Sequence, residues 1–179
     1  TNATAAEQAN FLADVVAELG VEAPVLVGHS YGGAVALAWA IERPDDLSGL
    51  LVLAGASNPW GTSTGLYYTI LSNRFTGPIM SALIAAWVPE RVVDGAIASA
   101  FPPNEMPEGY PAHYGPDLIL RPFSMFENGQ QRASLLPQIQ AMVPRYPYIS
   151  VPTEILLGDA DLTVPLECHS FPLSTQIPG

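Results

Sequence analysis

The sequence predicts an α/β protein in which a mostly parallel sheet is flanked by helices. Two short apolar runs, residues 24–27 and 48–54, have the length and composition of buried parallel strands. Between them, residues 34–42 are rich in alanine and leucine and stop just before Pro44, as a helix does. A strand, a helix and a strand within about 30 residues predict a βαβ unit with a right-handed crossover.

Composition limits the classes of protein that the chain can represent. Its 179 residues correspond to about one domain, and 49% hydrophobic with 13% charged residues is enough for a buried core. The net charge is −11 and the six cations are all arginines, which argues against nucleic acid as a partner. The apolar runs reach about ten residues, which is too short to span a membrane.

Cysteine and histidine usage bears on redox state and metals. Cys168 is the single cysteine, so an internal disulfide is excluded and the cellular compartment stays open. The sequence has no CxxC and no cluster of histidine and cysteine. We therefore expect neither a metal nor a cofactor.

The remaining elements follow from periodicity and from proline. A first helix is predicted over residues 4–19, with Thr4 and Glu7 at capping-box spacing and Gly20 at its end. Its apolar face is predicted to be Phe11, Leu12, Val15, Val16 and Leu19. Ten prolines between residues 102 and 152, and helical stretches at 66–87, 90–100 and 122–135, predict a helical, proline-rich insertion over 58–149. A strand at 152–157, a loop at 158–165 and a helix at 166–176 follow it.

The turn from Gly28 to Gly33 carries the chemistry. Its residues Gly-His-Ser-Tyr-Gly-Gly fit the pattern G-x-S-x-G, with a strand before it and a helix after it. Glycine at 28 and 32 leaves room for Ser30 in a strained backbone conformation. Such a turn presents the Ser30 hydroxyl and directs the next N–H groups toward a developing oxyanion. The alternative is a plain strand-to-helix turn with an incidental serine.

These residues resemble the α/β-hydrolase superfamily. VLVGHSYGG and AVALAWAIERPDDLSGLLVLA look like its nucleophile elbow, the following helix and the next strand, and PTEILLGDADLTVP is similar to its later strand and acid loop. The resemblance covers residues 1–57 and 150–179 as two parts of the core, and it implies an incomplete α/β-hydrolase fold with 58–149 as an inserted cap. It implies Ser30 as nucleophile, Asp161 as triad acid and the Tyr31 N–H as an oxyanion donor, with Gly28 and Gly32 as structural glycines.

The acid and the base of the triad leave alternatives open. Asp159 is an alternative to Asp161 as the triad acid. Asp161 could instead be a loop carboxylate that caps the next helix. Triad order places the histidine after the acid, where only His169 follows, eight residues on. In the family that the chain resembles, the catalytic histidine comes later in the sequence, after the last strand. His169 is therefore a minor candidate for the base and is expected to be a packing residue. His29 and His113 are not expected to act as the base.

Parts of the family pattern are missing. No glycine-rich HG-type loop precedes Gly28 to supply a second oxyanion donor, and three strands are found where the family has eight. The strand at 24–27 would then present an unpaired apolar edge. We therefore expect this chain to be an internal piece of a longer hydrolase, inactive by itself.

The predicted function is serine hydrolysis of carboxylic esters, or of similar carbonyl substrates, through an acyl-enzyme. Hydrolysis of a C–C bond and perhydrolase or haloperoxidase-like chemistry use the same residues, and a non-catalytic ligand- or partner-binding protein is a further alternative. The partner is expected to be a hydrophobic small molecule. Arg121 is a candidate to bind a substrate carboxylate or to form an ion pair. Candidate pocket residues, or alternatively core residues, are Leu66, Tyr67, Tyr68, Ile70, Leu83, Ile84 and Trp87.

Overall fold

A three-stranded parallel sheet is the framework of the computed structural model, which describes residues 4–61 and 65–178. The strands are β1 (Val25–His29), β2 (Gly49–Leu53) and β3 (Thr153–Leu156), in the order β1-β2-β3. Both pairings are parallel, so the carboxyl ends of all three strands lie at one edge of the sheet. The predicted α/β class and parallel sheet are confirmed.

The described helices account for most of the remaining chain. They are α1 (Ala5–Glu18), α2 (Tyr31–Glu42), α3 (Leu66–Ser72), α4 (Thr76–Trp87), α5 (Glu90–Ala98), α6 (Tyr110–Tyr114), α7 (Pro116–Ile119), α8 (Pro122–Met142) and α9 (Ser170–Gln176). Two 3₁₀ turns, Pro44–Asp46 and Val143–Tyr148, add to these. The chain divides into two compact units: residues 1–61 with 134–179 form unit 1, and residues 62–133 form unit 2.

Helix α1 begins and ends as predicted but buries a different face. Thr4 Oγ1 accepts the Glu7 N–H at 3.1 Å and the Thr4 N–H donates to Glu7 Oε2 at 2.9 Å, and Gly20 has a φ of +70°. The buried side chains are three alanines, whereas most of the predicted apolar face is exposed. Alanine allows α1 to approach the equally alanine-rich α2 closely. The buried alanines are Ala5, Ala9 and Ala13, and the exposed residues are Phe11, Leu12, Val15 and Leu19.

Helix α2 lies at the centre of unit 1. Every residue from Gly33 to Ala40 is buried, so this helix is covered on all its faces. The core around it includes Leu50 and Val52 of β2, together with Ile139 of α8. This packing fixes the position of the turn that precedes α2.

One edge of the sheet is apolar and open. Among the described residues β1 pairs only with β2, and Val25 and Val27 are 63% and 55% exposed. The prediction of an apolar strand edge is confirmed. Beside it, α1, β1 and α2 enclose a groove of about 190 Å³ that Gln8, Leu12 and Tyr31 help to line.

Unit 2 contains helices and few buried side chains. The predicted helix over 66–87 is two helices, because Asn73 Oδ1 accepts the N–H groups of Phe75 and Thr76 at 2.9 and 3.2 Å and starts a new helix. The predicted helix over 122–135 is also longer, since α8 continues to Met142 with Pro137 inside it. None of the described helices is both long and apolar enough to cross a bilayer.

Candidate active site

Ser30 occupies the turn between β1 and α2 in a strained conformation. Its φ of +52° and ψ of −119° are rare for a residue with a side chain, at a cost on the order of 1–3 kcal/mol. Three backbone hydrogen bonds hold it: the Ser30 N–H donates to Leu53 O at 3.0 Å, and the Ser30 carbonyl accepts from Gly33 N at 3.0 Å and Ala56 N at 3.1 Å. Strain maintained in this way is typical of functional sites.

Close packing at the turn requires two glycines, of which the sequence identified one. A Cβ at Gly28 would lie 2.4 Å from Gly32 O, and a Cβ at Gly33 would lie 2.6 Å from Gly55 Cα. Apart from its two chain neighbours and the backbone of α2, a Cβ at Gly32 would meet no described atom within 4 Å. Among the described residues the close packing therefore involves Gly28 and Gly33, and Gly33 contacts the glycine that follows β2, while the role of Gly32 stays a prediction.

The start of α2 supplies N–H groups beside Ser30. Tyr31 is the first residue of α2, and the first N–H groups of a helix have no partner within it. The Ser30 side chain is half-buried and its Oγ makes no hydrogen bond within the described residues. The Tyr31 hydroxyl points elsewhere, accepting from Gln8 Nε2 at 3.0 Å, and burial raises the pKa of Tyr31. The Ser30 hydroxyl thus lies next to the N-terminus of α2, an arrangement that can support acyl transfer.

Asp161 lies in the loop after β3, at the same edge of the sheet as Ser30. Its Oδ1 accepts the N–H groups of Thr163 at 2.8 Å and Val164 at 2.9 Å, and its own N–H donates to Gly158 O at 3.3 Å. The side chain is half-buried, whereas Asp159 is exposed. Oδ2 accepts no hydrogen bond from any residue described, so one carboxylate oxygen stays available.

His169 is buried at the start of α9, only 4% exposed. Its Nδ1 accepts the backbone N–H groups of Ser57 at 3.3 Å and Asn58 at 3.2 Å. Burial lowers the pKa of His169, and the Asp161 carboxylate raises it by less. The ring is therefore neutral with its proton on Nε2. A triad base needs the opposite tautomer, with Nδ1–H facing the acid and Nε2 accepting from serine. This arrangement does not suit His169 as the base.

Most of the other candidate residues are exposed. His29, His113 and Arg121 are exposed. Of the residues expected to line a pocket, Leu66, Tyr67, Leu83 and Trp87 are exposed, and Tyr68, Ile70 and Ile84 are half-buried; the groove described above is lined by other side chains. Within residues 4–61 and 65–178, no three His, Cys, Asp or Glu side chains gather as a metal site would require.

A buried polar cluster beside His169 was missed by sequence reasoning. The Tyr146 hydroxyl donates to Ser57 O at 2.6 Å, and the Asn58 and Gln176 amides exchange two hydrogen bonds of 3.0 Å. The Cys168 thiol donates to Pro59 O at 3.5 Å, and burial raises its pKa. These partners are separated by about 90 to 120 residues along the chain. No local pattern carries such a signal.

Comparison with known proteins places the chain in a family. The sequence profile of the Alpha/beta hydrolase family matches residues 1–175. An alpha/beta hydrolase fold protein from Burkholderia ambifaria superimposes with a TM-score of 0.72 at 18% identity, over 97% of this chain and 62% of that protein. The esterase from Exiguobacterium antarcticum gives 0.68 at 17% identity, over 100% and 64%.

A third similar structure, the alpha/beta hydrolase fold protein from Nakamurella multipartita, gives a TM-score of 0.51 at 22% identity, over 99% of this chain and 65% of that one. No curated protein matches the sequence. The chain thus spans less than two thirds of the length of these three structures. The family match over almost its whole length, together with the shared fold, shows that the chain belongs to the alpha/beta hydrolase family.

Proposed function

We propose that this chain carries the nucleophile and the acid of a serine hydrolase that cleaves carboxylic esters with a hydrophobic acyl or aromatic group. The observation that carries the proposal is Ser30, held at positive φ between β1 and the N-terminus of α2. The Ser30 side chain makes no capping hydrogen bond to α2, so no such bond offsets the strain of this position. An esterase among the structural neighbours agrees with this choice of chemistry.

In the proposed reaction the Ser30 hydroxyl oxygen attacks the ester carbonyl carbon while a histidine takes its proton. The carbonyl oxygen becomes an oxyanion that accepts a hydrogen bond from the Tyr31 N–H. Collapse of this intermediate breaks the bond to the alcohol, which leaves with the proton, and Ser30 keeps the acyl group. Water then releases the acid by the same steps.

Asp161 is the acid in this proposal. Its Oδ1 is held by two backbone N–H groups, which fixes the carboxylate plane and leaves Oδ2 to accept from the base and to stabilise the imidazolium. His169 has its Nδ1 occupied, so the proposal does not use it as the base and assigns that role to a histidine outside the described residues.

The test is labelling of the full-length protein with a fluorophosphonate, which phosphonylates activated serines. We expect one labelled residue, Ser30, and no label in Ser30→Ala. Ser174→Ala is the matched control, since Ser174 lies in α9 and its hydroxyl bonds only Phe171 O among the described residues. It should label like the natural protein.

Labelling that persists in Ser30→Ala would overturn the proposal. A complete lack of labelling would instead favour a non-catalytic binding protein. Because C–C bond hydrolysis and perhydrolase or haloperoxidase-like chemistry would use the same residues, product analysis with ester, diketone and peroxide substrates distinguishes them from ester hydrolysis.

A further inference from the structure

The segment after β2, residues 54–58, forms a wall of the Ser30 turn. The Ala56 N–H donates to the Ser30 carbonyl, and Gly55 Cα lies where a side chain at Gly33 would otherwise be. The segment is itself strained, since Ala54 has a φ of +42°. A segment in such a conformation stays in place only if other contacts fix it.

His169 provides contacts on the other side of this segment. Its Nδ1 accepts from Ser57 N and Asn58 N, and its carbonyl accepts from Ser57 Oγ at 3.0 Å. Three consecutive N–H groups are therefore divided between two partners: that of Ala56 donates to Ser30, and those of Ser57 and Asn58 donate to the imidazole. The imidazole and the nucleophile turn are connected through a single short stretch of backbone.

We propose that His169 is a positioning residue, which in its neutral form holds residues 54–58 against the Ser30 turn and thereby keeps the nucleophile in its attacking geometry. The inference rests on the proposed role of Ser30. It assigns His169 an indirect role in which the imidazole neither takes a proton from Ser30 nor contacts the substrate.

The chemistry of the ring makes this contact sensitive to pH. A proton added to Nδ1 replaces the lone pair that two N–H groups share, so both hydrogen bonds are lost and three N–H groups face one another. Burial opposes the added charge, because a buried imidazolium loses its hydration.

The groups around His169 do not reverse this preference. The Asp161 carboxylate favours the imidazolium, but its effect on the pKa of His169 is smaller than that of burial. The Tyr146 hydroxyl and the Cys168 thiol carry no charge at acid pH, and burial raises the pKa of each further. Residues 54–60 and α9 contain no titratable side chain.

The direction of the effect follows from linkage. The pKa of His169 is lower in the folded than in the unfolded chain, so its contribution to stability is complete above about pH 6.5, the ordinary histidine value. That contribution is lost as the pH falls from there through the lower folded value. The support of the Ser30 turn should weaken over the same range.

Two substitutions of His169 test the proposal in the full-length protein. In His169→Asn, Oδ1 can take the place of Nδ1 and accepts both N–H groups, but it does not titrate. In His169→Ala the acceptor is absent. The readouts are the protection factors of the Ser57 and Asn58 amides in hydrogen exchange across the acid range, and the rate at which a fluorophosphonate labels Ser30 at neutral pH.

In the natural protein we expect protection at neutral pH that falls about tenfold or more on acidification, because both hydrogen bonds to Nδ1 are lost. His169→Asn should keep its protection in acid and label at the natural rate. His169→Ala should show the low protection at every pH and label Ser30 at least about tenfold more slowly.

Unchanged protection in His169→Ala, or lost protection with unchanged labelling, would overturn the positioning role. If His169→Ala does not fold, the comparison of the natural protein with His169→Asn decides, since equal pH dependence of protection in the two would also overturn it. A natural protein that shows the expected protection but never labels at Ser30 would instead contradict the proposed hydrolase function.

Discussion

The Ser30 turn and the Asp161 loop lie at the same edge of the sheet but are held in opposite ways. Ser30 has a strained backbone whose hydrogen bonds reach Leu53 and Ala56, more than twenty residues away. Asp161 is held by hydrogen bonds to residues within three positions of it. The conformation of the Ser30 turn therefore depends on distant parts of the core, whereas the conformation of the Asp161 loop depends mainly on its own residues. Substitutions near the two should differ accordingly.

The largest expected effect is at Ser30. In the full-length protein, Ser30→Ala should lower kcat for an ester such as p-nitrophenyl butyrate by about 10⁴-fold or more, because no other group in the proposed mechanism can form the acyl-enzyme. Steady-state kinetics measure it, with Ser174→Ala as the control. Unchanged turnover would end the esterase hypothesis.

A smaller but still large effect is expected at Asp161. Asp161→Asn keeps the shape of the loop but loses the charge that stabilises the imidazolium, so kcat should fall about a thousandfold or more. Asp159→Asn is the matched control two residues away, exposed, and should change kcat less than about threefold. The reverse ranking would show that Asp159 is the acid.

Alanine substitutions at two glycines of the Ser30 turn should differ in their effect on the free energy of unfolding. A methyl group at Gly28 would overlap Gly32 O, so Gly28→Ala should lower the free energy of unfolding by about 1–3 kcal/mol or more. Gly32→Ala, in the first turn of α2 with open space around it, should be neutral or stabilise by up to about 1 kcal/mol. Urea denaturation of the full-length variants measures both. Equal losses would mean that packing at the turn differs from that described.

The smallest effect of Ser30→Ala is expected in the 179-residue chain by itself. It contains Ser30 and Asp161, but His169 is not arranged as a base, and triad residues act as a unit. Hydrolysis of p-nitrophenyl butyrate should therefore be near background and the same in Ser30→Ala. Turnover that depends on Ser30 and disappears in His169→Ala would show that His169 is the base after all.

Sequence predicted the elements whose signals are local. The capping box of Thr4 and Glu7, the end of α1 near Gly20 and the three parallel strands needed only short patterns, and each is confirmed. Periodicity identified the large apolar side chains of α1, but the face that packs against α2 is made of alanines. Burial of a helix face depends on its partner, which its own sequence does not contain.

The candidate site shows the same division. Ser30 and Asp161 could be selected from the sequence because each lies in a short pattern that follows a strand. The need for glycine at 33 could not be predicted from the sequence, because it depends on the approach of Gly55. The partners of His169 could not be predicted either, because they include Ser57, which is distant along the chain. Close approaches between distant segments leave no periodic signal along the chain.

The Cys168 thiol can serve as a chemical probe of one contact in unit 1. The thiol lies against Pro59 O, between α9 and the segment that follows β2, and it is the sole cysteine of these 179 residues. Alkylation requires the thiolate, and burial raises the pKa of this half-buried thiol, so its modification should be slower than that of a cysteine in an unfolded peptide. The rate of alkylation should therefore rise when this contact is lost. One covalent label can thus report on a contact between two segments that are distant along the chain.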